Sequence, residues 1–254
     1  MRENRIKKKL REGQPVTVIS GLHNADMIDF LGQFGFDGVW LEGEHGPVDW
    51  DAIGDLSRAC DLWDMTSVTR VNNNDPGMIM RALDRGTMGI VVPHVNSREA
   101  AEQAMKSSKY APIGYRGMFG GRQSYGVADY VKRANDQSLM VVLIEEIEAI
   151  RNLADILTVE HIDVFFVAPS DLAQTMGHIG NHTHPEVQAT IDKALAQITA
   201  AGRVAGTLVN DDNVQRYLKA GARFFLTGWT NWIAQGARAY QQKVATVAGA
   251  EREE

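Results

Sequence analysis

Acidic and imidazole side chains follow short apolar runs of this sequence, and their types could support metal chemistry. Glu44 and His45 follow one run, Glu145 ends another, and Asp171 follows a third. Two carboxylates such as Glu145 and Asp171 suit a hard divalent cation that keeps open positions for water and substrate oxygens. Without a cation, two facing carboxylates repel and one takes up a proton. The residues therefore indicate a metal site, the alternative being two unrelated, solvated acids.

Two further side chains could complete such a site. His45 lies among glycines and acids, where an imidazole near its unperturbed pKa of about 6.5 can act as a base at neutral pH. The alternative is a structural, hydrogen-bonded histidine. Arg70 stands in an otherwise apolar run, and a guanidinium there needs an anionic partner, either a substrate oxyanion or a carboxylate of the protein.

Eight short apolar runs rich in β-formers must position these residues. Several are apolar at consecutive positions, which is typical of strands covered on both faces, as in parallel sheets. The runs cover residues 16–20, 38–41, 66–71, 89–92, 139–144, 162–167, 204–209 and 224–227.

Helical patterns separate the apolar runs. Asp75 and Pro76 supply a cap and a first-turn proline for one helix, and Thr183 with Glu186 has capping-box spacing before a longer one. Alternating strands and helices without a flexible linker predict one (β/α)8 TIM barrel over residues 1–254, with a disordered tail at about 249–254. Such barrels carry their chemistry at the carboxyl ends of the strands, here called the rim, where the residues named above fall.

The lysines argue against a different chemistry. A Schiff base inside a barrel needs a lysine on a strand. Lys7, Lys8 and Lys9 precede the first strand, and every later lysine falls in a predicted helix or at its end. The distribution therefore favours the metal over a Schiff base.

Charge and composition exclude several partners. The formal net charge is −6, which gives no broad attraction to nucleic acid or anionic membranes. The one basic run, 5–11, has Ile6 and Leu10 four residues apart and predicts a short amphipathic helix with a solvated basic face. No apolar run is long enough to span a bilayer, and the single cysteine, Cys60, favours a cytoplasmic protein.

Two conspicuous segments do not indicate a metal or nucleotide site. His178, His182 and His184 lie close in sequence, but without a cysteine or glutamate partner at zinc spacing we expect no metal there. The glycine-rich segment 114–122 lacks the ending of a P-loop and the spacing of a dinucleotide site, and we expect a mobile loop at the rim.

Four motifs together resemble the HpcH/HpaI aldolase family, the class II pyruvate aldolases of the 4-hydroxy-2-oxoheptanedioate and 2-dehydro-3-deoxyglucarate aldolase type. The motifs are Glu44-His45-Gly46-Pro47, Arg70 in its strand, Leu83-Asp84-Arg85-Gly86 before a strand ending in Pro93, and Pro112-Ile113-Gly114-Tyr115-Arg116-Gly117. The resemblance covers nearly the whole chain. It implies a barrel of the phosphoenolpyruvate/pyruvate type and a lyase that reversibly cleaves a 4-hydroxy-2-oxo acid to pyruvate, or a related 2-oxo acid, and an aldehyde through a metal-bound enolate.

The resemblance also implies roles for residues. Glu145 and Asp171 would bind Mg²⁺, Mn²⁺ or Co²⁺, and backbone amides around Ser170 and Asp171 would bind the substrate carboxylate. His45 would be the base, and Arg70 would hold the keto oxygen.

An assembly and a cellular role follow from the same resemblance. Asp84 would orient His45 from a neighbouring subunit, because members are usually homohexamers built as trimers of dimers. The protein would be a cytoplasmic enzyme of aromatic-compound catabolism.

Departures from the family pattern fall at the substrate site. Leu143 stands where the family usually has glutamine, and Trp229 stands where a serine is usual, so both are candidate substrate contacts. Two alternatives to an aldolase remain: a decarboxylase or other lyase acting on an oxaloacetate-like acid, and a metabolite-binding barrel without catalysis.

Overall fold

The computed structural model describes residues 1–250. Eight parallel strands of this part pair with their neighbours in chain order, and the last pairs with the first, so that the sheet closes into a barrel. This confirms the predicted (β/α)8 TIM barrel. The strands are β1 (Val16–Ser20), β2 (Gly38–Glu42), β3 (Thr66–Arg70), β4 (Gly89–Val92), β5 (Leu139–Ile144), β6 (Val164–Val167), β7 (Ala205–Leu208) and β8 (Phe224–Gly228).

Helices connect the strands, and several begin at a side-chain cap that the sequence supplies. The oxygens of Asn24, Asp49, Asp75 and Ser97 each accept a hydrogen bond from a first-turn backbone N–H. The helices of the described residues are α1 (Arg5–Arg11), α2 (Ala25–Gly32), α3 (Trp50–Leu62), α4 (Pro76–Asp84), α5 (Arg98–Ser108), α6 (Tyr130–Gln137), α7 (Ile147–Arg151), α8 (Leu153–Ile156), α9 (Pro169–Thr175), α10 (Pro185–Ala200), α11 (Val214–Lys219) and α12 (Thr230–Ala250).

The cap of α10 differs from the prediction. The ring of His184, not the hydroxyl of Thr183, accepts the hydrogen bond from the backbone N–H of Glu186. The Thr183 hydroxyl instead donates to Asn181, so the capping-box interpretation is wrong although the helix itself is present.

Two apolar layers explain the consecutive apolar runs. In β5, Leu139, Val141 and Leu143 belong to the cluster inside the barrel. The alternate residues Met140 and Val142 belong to the larger cluster between the strands and the helices. Side chains alternate along a strand, and therefore a strand buried on both faces must be apolar throughout.

The same alternation aims polar residues of two strands into the barrel at the rim. Trp40 and Val68 pack inside the barrel, and Glu42 and Arg70 follow them two residues later. The two strands pair with Glu42 opposite Arg70.

Helix α1 closes the opposite, amino-terminal end of the barrel. Ile6 is fully buried in the inner cluster. The basic residues around it are paired rather than simply solvated: Arg5 and Lys9 donate to Asp37, and Lys7 donates to Asp163. The predicted amphipathic helix is confirmed, and Lys8 and Arg11 of its basic face are exposed as predicted. The rest of that face is instead paired with acids at the strand starts.

Lys109 lies at this same end, directly after α5. Its side chain is buried and its ammonium group donates to the carbonyl oxygens of Asn135 (2.8 Å) and Ser138 (2.6 Å). Burial lowers the pKa of Lys109 to about 8. No lysine of the described residues lies on a strand, as the sequence predicted.

The glycine-rich segment 114–122 also lies at the amino-terminal end, because it follows α5 and precedes β5. The Arg116 side chain is 1% exposed, and Arg122 bonds Asp61 at the end of α3. The prediction of a mobile rim loop is therefore wrong in its location.

The last helix, α12, exposes most of its apolar side chains. Ile233, Tyr240 and Val247 are each at least half exposed. None of the helices within residues 1–250 is both long and apolar enough to cross a bilayer. Residues 251–254 of the predicted disordered tail lie outside the described residues.

Candidate active site

An ion-pair network built on two neighbouring strands forms one side of the rim. The guanidinium of Arg70 donates to the carboxylate of Glu42 at 2.8 and 3.0 Å and contacts the carboxylate of Glu44 at 2.8 Å. Burial opposes ionisation of Glu42, but hydrogen bonds from Arg70, His45 and Trp40 lower its pKa. The partner of Arg70 within the chain is thus a pair of protein carboxylates, one of the two possibilities that the sequence left open.

The loop after β2 turns tightly around Glu42. Its carboxylate accepts hydrogen bonds from the backbone N–H groups of Glu44 (2.8 Å) and His45 (3.0 Å). A side chain at position 46 would lie 2.7 Å from the backbone oxygen of Glu42, so only glycine fits there. This turn presents His45 at the rim.

The imidazole of His45 is exposed and faces a cavity at the rim. Within residues 1–250 its ring makes no hydrogen bond, so the chain alone gives this histidine no structural partner. That arrangement leaves both ring nitrogens free to exchange protons with a ligand or a water.

Glu145 directly follows β5 and is only 1% exposed. It accepts a 2.7 Å hydrogen bond from the backbone N–H of His94. Burial raises the pKa of Glu145 to about 7, and the charges of Asp171 and Glu44 add to this effect, whereas the contacts with His94 oppose it. A buried carboxylate surrounded by negative charge is an environment that a divalent cation would fit.

His94 lies two residues after the end of β4, and the sequence patterns assigned it no role. Its backbone has a positive φ of 55°, and its ring lies 2.7 Å from Glu146, 3.3 Å from Glu44 and 3.6 Å from Glu145. Burial opposes protonation of this ring, but the hydrogen bond with Glu146 and the three carboxylate charges raise the pKa of His94. The only sequence signal for this residue was its position after β4.

A cavity of about 240 Å³ lies inside this ring of polar groups. Among the predicted residues, it brings together those that follow β2 and β6 with Arg70 of β3 and Leu143 of β5, whereas Glu145, directly after β5, does not line it. Aromatic and aliphatic side chains form its floor. Its lining includes Trp40, Glu42, His45, Arg70, Leu143, Phe166, Ser170, Asp171 and Leu226.

Besides Glu145, two predicted site residues do not line this cavity. The indole N–H of Trp229 donates to the carbonyl of Gly21 at 3.0 Å, and its ring lines a separate apolar groove between α2 and α12. Asp84 ends α4 at the amino-terminal end of the barrel and accepts a 2.6 Å hydrogen bond from Arg116. Within one chain Asp84 therefore does not reach His45.

Comparisons with known proteins agree with this fold. The family model described as HpcH/HpaI aldolase/citrate lyase matches residues 17–234. A 4-hydroxy-2-oxo-heptane-1,7-dioate aldolase of Shigella sonnei (strain Ss046) is 36% identical over 244 residues, which is 93% of each chain. The chain therefore belongs to the HpcH/HpaI aldolase/citrate lyase family, as its motifs predicted.

Solved structures of the family have the same architecture. An HpcH/HpaI aldolase/citrate lyase family protein from Burkholderia cenocepacia J2315 is similar with a TM-score of 0.88 and 27% identity, covering 95% of this chain and 99% of that one. An HpcH/HpaI aldolase from Desulfitobacterium hafniense DCB-2 has a TM-score of 0.84 and 25% identity, covering 92% and 96%.

Proposed function

We propose that this protein is a divalent-metal-dependent aldolase that cleaves a 4-hydroxy-2-oxo acid to pyruvate, or a related 2-oxo acid, and an aldehyde. The observation that carries the proposal is the shared cavity of His45, Arg70, Ser170 and Asp171, with the buried Glu145 close enough to Asp171 for the two charges to interact. The identity with aldolases named for such a substrate supports the same reaction class.

Glu145 and Asp171 are the residues that would hold the ion. Both offer carboxylate oxygens, the donors that Mg²⁺ and Mn²⁺ prefer, and Co²⁺ is a further candidate. When bound, the ion supplies Lewis-acid polarisation of a keto oxygen.

The protein's own groups account for the rest of the reaction. Arg70 still has guanidinium protons beyond those that face Glu42 and Glu44, and these can bind the keto oxygen and favour the developing negative charge. His45, directly or through a water, takes the proton of the 4-hydroxyl group as the bond between C3 and C4 breaks and the aldehyde leaves. A proton then returns to C3, which completes the 2-oxo acid.

The substrate's other contacts are set by the cavity lining. Ser170 lies beside Asp171 at the position proposed to receive the substrate carboxylate. Leu143 is 1% exposed and replaces a polar group with an apolar wall, so the proposal includes a substrate whose part beside Leu143 needs no hydrogen bond.

A test of this function follows pyruvate release from 4-hydroxy-2-oxo acids and from oxaloacetate, with the protein first treated with a chelator and then supplied with Mg²⁺, Mn²⁺ or Co²⁺. We expect cleavage of the hydroxy acids that is lost with chelator and restored by metal. Faster release from oxaloacetate would assign a decarboxylase instead. Keto-acid binding without turnover on any metal would indicate a binding protein. Turnover that continues in the presence of the chelator would refute the proposed metal dependence.

The assembly proposed with this function is a homohexamer, a trimer of dimers. The exposed apolar residues of α12 and the apolar groove beside α2, lined by Phe30, Phe34 and Trp232, support burial against further copies. Asp84 could reach His45 only in such an assembly. Light scattering on the purified protein tests the subunit number, and a monomer would remove the proposed role of Asp84.

The proposal also keeps a cytoplasmic location and a role in aromatic-compound catabolism. The single cysteine, Cys60, is buried and unpaired, which fits a reducing compartment.

A further inference from the structure

A second group of metal-ligating side chains lies outside the candidate active site. His178 is in the loop after α9, and His184 and Glu186 lie at the start of α10. One ring nitrogen of each histidine and one carboxylate oxygen of Glu186 lie within 4.8 Å of one another. The sequence-based reason for expecting no metal, a missing acidic partner, is thereby wrong, because the helix start supplies Glu186.

The backbone of this loop fixes where the two histidines stand. Gly177 and Gly180 have positive φ angles of 84° and 74°. The N–H of Asn181 donates to the carbonyl of His178 at 2.9 Å, and the N–H of His184 donates to the carbonyl of Asn181 at 3.1 Å. These turns fold the loop back on itself, so that residues six apart in sequence face each other.

The side chains already interact. Nε2 of His178 lies 2.9 Å from Oε2 of Glu186, and the two imidazoles stack with centroids 3.7 Å apart and planes 16° apart. Nδ1 of His184 accepts a long, 3.3 Å hydrogen bond from the N–H of Glu186. Lone pairs of imidazole point in the ring plane, so coordination of one ion requires the rings to turn out of this stack. That rotation gives up one weak helix cap, the long hydrogen bond to the His184 ring.

We propose that His178, His184 and Glu186 bind a transition-metal ion of the Zn²⁺ class, with water in the fourth position. Two imidazoles and a carboxylate are a ligand set that Zn²⁺ uses, and imidazole also suits Ni²⁺ and Cu²⁺. Bonds of about 2.0–2.2 Å place tetrahedral ligand atoms about 3.4 Å apart, so the required movement is short. Side-chain exposures of 24% for His178 and 72% for Glu186 leave a path for the ion.

This site differs in chemistry from the carboxylate pair of the active site. Oxygen ligands alone favour Mg²⁺ and Mn²⁺, whereas nitrogen ligands favour Zn²⁺. A metal held here would tie the loop after α9 to α10 and would not enter the proposed reaction. The inference therefore stands independently of the aldolase assignment.

The test uses the untagged, metal-free chain titrated with Co²⁺ and then with competing Zn²⁺. A four-coordinate site with nitrogen ligands absorbs visible light far more strongly than a six-coordinate oxygen site, which separates the two sites in one experiment. We expect the strong band in the wild-type protein, in the double variant Glu145→Gln/Asp171→Asn and in His182→Ala. His182 is the matched control because it lies in the same loop outside the cluster.

His178→Ala and Glu186→Gln should lose the band and weaken zinc binding by at least about tenfold, since removal of an outer-shell partner alone can cost that much. Both leave the His184 ring in place to cap α10, and circular dichroism checks the helix content. Their turnover with Mg²⁺ should stay unchanged. Zinc binding equal to that of wild type in both variants would overturn the proposal, as would a band lost only in the Glu145→Gln/Asp171→Asn variant.

Discussion

The two ends of the barrel both carry buried charge, but they balance it differently. At the amino-terminal end, Asp37 is 2% exposed and has Arg5 and Lys9 as partners. At the rim, Glu145 is equally buried and has around it mainly other acids, with His94 as the cationic exception. A buried charge is stable when it is paired within the chain, so the amino-terminal end is complete by itself. Around Glu145 the acids outnumber the cations, so this part of the rim is suited to a ligand that brings positive charge.

The largest expected effect is a loss of turnover caused by a change at the rim. Asp171→Asn removes a proposed metal ligand, and we expect turnover to fall by roughly a thousandfold or more, since metal polarisation supplies several kcal/mol. Stability in the presence of chelator should stay the same or rise, because the charge that repels Glu145 is gone. Steady-state assays with thermal melting measure both quantities, and near-normal turnover would remove Asp171 from the metal site.

A second expected effect concerns the base. His45→Ala should lower kcat by about 10²- to 10⁴-fold while leaving metal affinity unchanged, because the ring is exposed and makes no hydrogen bond within the described chain. Calorimetric metal titration alongside kinetics makes the distinction. A loss of metal binding in this variant would indicate a ligand role instead.

At the amino-terminal end of the barrel we expect a substitution to lower stability and to leave kcat unchanged. Asp37→Ala leaves two cations and the backbone N–H of Thr17 without their acceptor, so the free energy of unfolding should fall by about 3 kcal/mol. The kcat of the folded fraction should be that of wild type. Urea unfolding provides the stability, and an equal loss of kcat would contradict the separation of the two ends.

The smallest expected effect depends on pH. The pKa of Lys109 in the folded state, about 8, is below that of an unfolded lysine, so the unfolded state binds more protons between these values. Unfolding free energy should therefore rise as pH increases from 8 to about 10.5, by about 2 kcal/mol relative to Lys109→Met. Lys106→Met, at a partly exposed position within α5, is the control, and a pH slope in Lys109→Met identical to that of wild type would contradict the assignment.

Local patterns predicted most of the fold. Each apolar run became a strand because burial on both faces of a parallel barrel demands consecutive apolar residues, as in β5. The strand-end rule likewise located His45, Arg70 and Asp171 at one cavity, since all parallel strands end at the same rim.

These local patterns could not predict contacts between segments that are distant in sequence. His94 meets Glu145 across 51 positions, and nothing in the spacing of either residue indicates the other. Trp229 follows a strand as predicted, yet its ring turns outward and donates to the carbonyl of Gly21. No periodic pattern predicts the direction of a side chain after a strand ends. Segment 114–122 was assigned to the rim on composition alone, which carries no information about which end of a strand a loop joins.

Helix α1 has a consequence for synthesis of the chain. Asn4 hydrogen-bonds the carbonyl of Gln137, 133 positions later, and Lys7 pairs with Asp163, 156 positions later. At ribosomal rates of about 5–20 residues per second, α1 therefore precedes these two partners by on the order of ten seconds, whereas its partner Asp37 follows within a few seconds. The contacts of α1 are thus complete only after residue 163 has been synthesised.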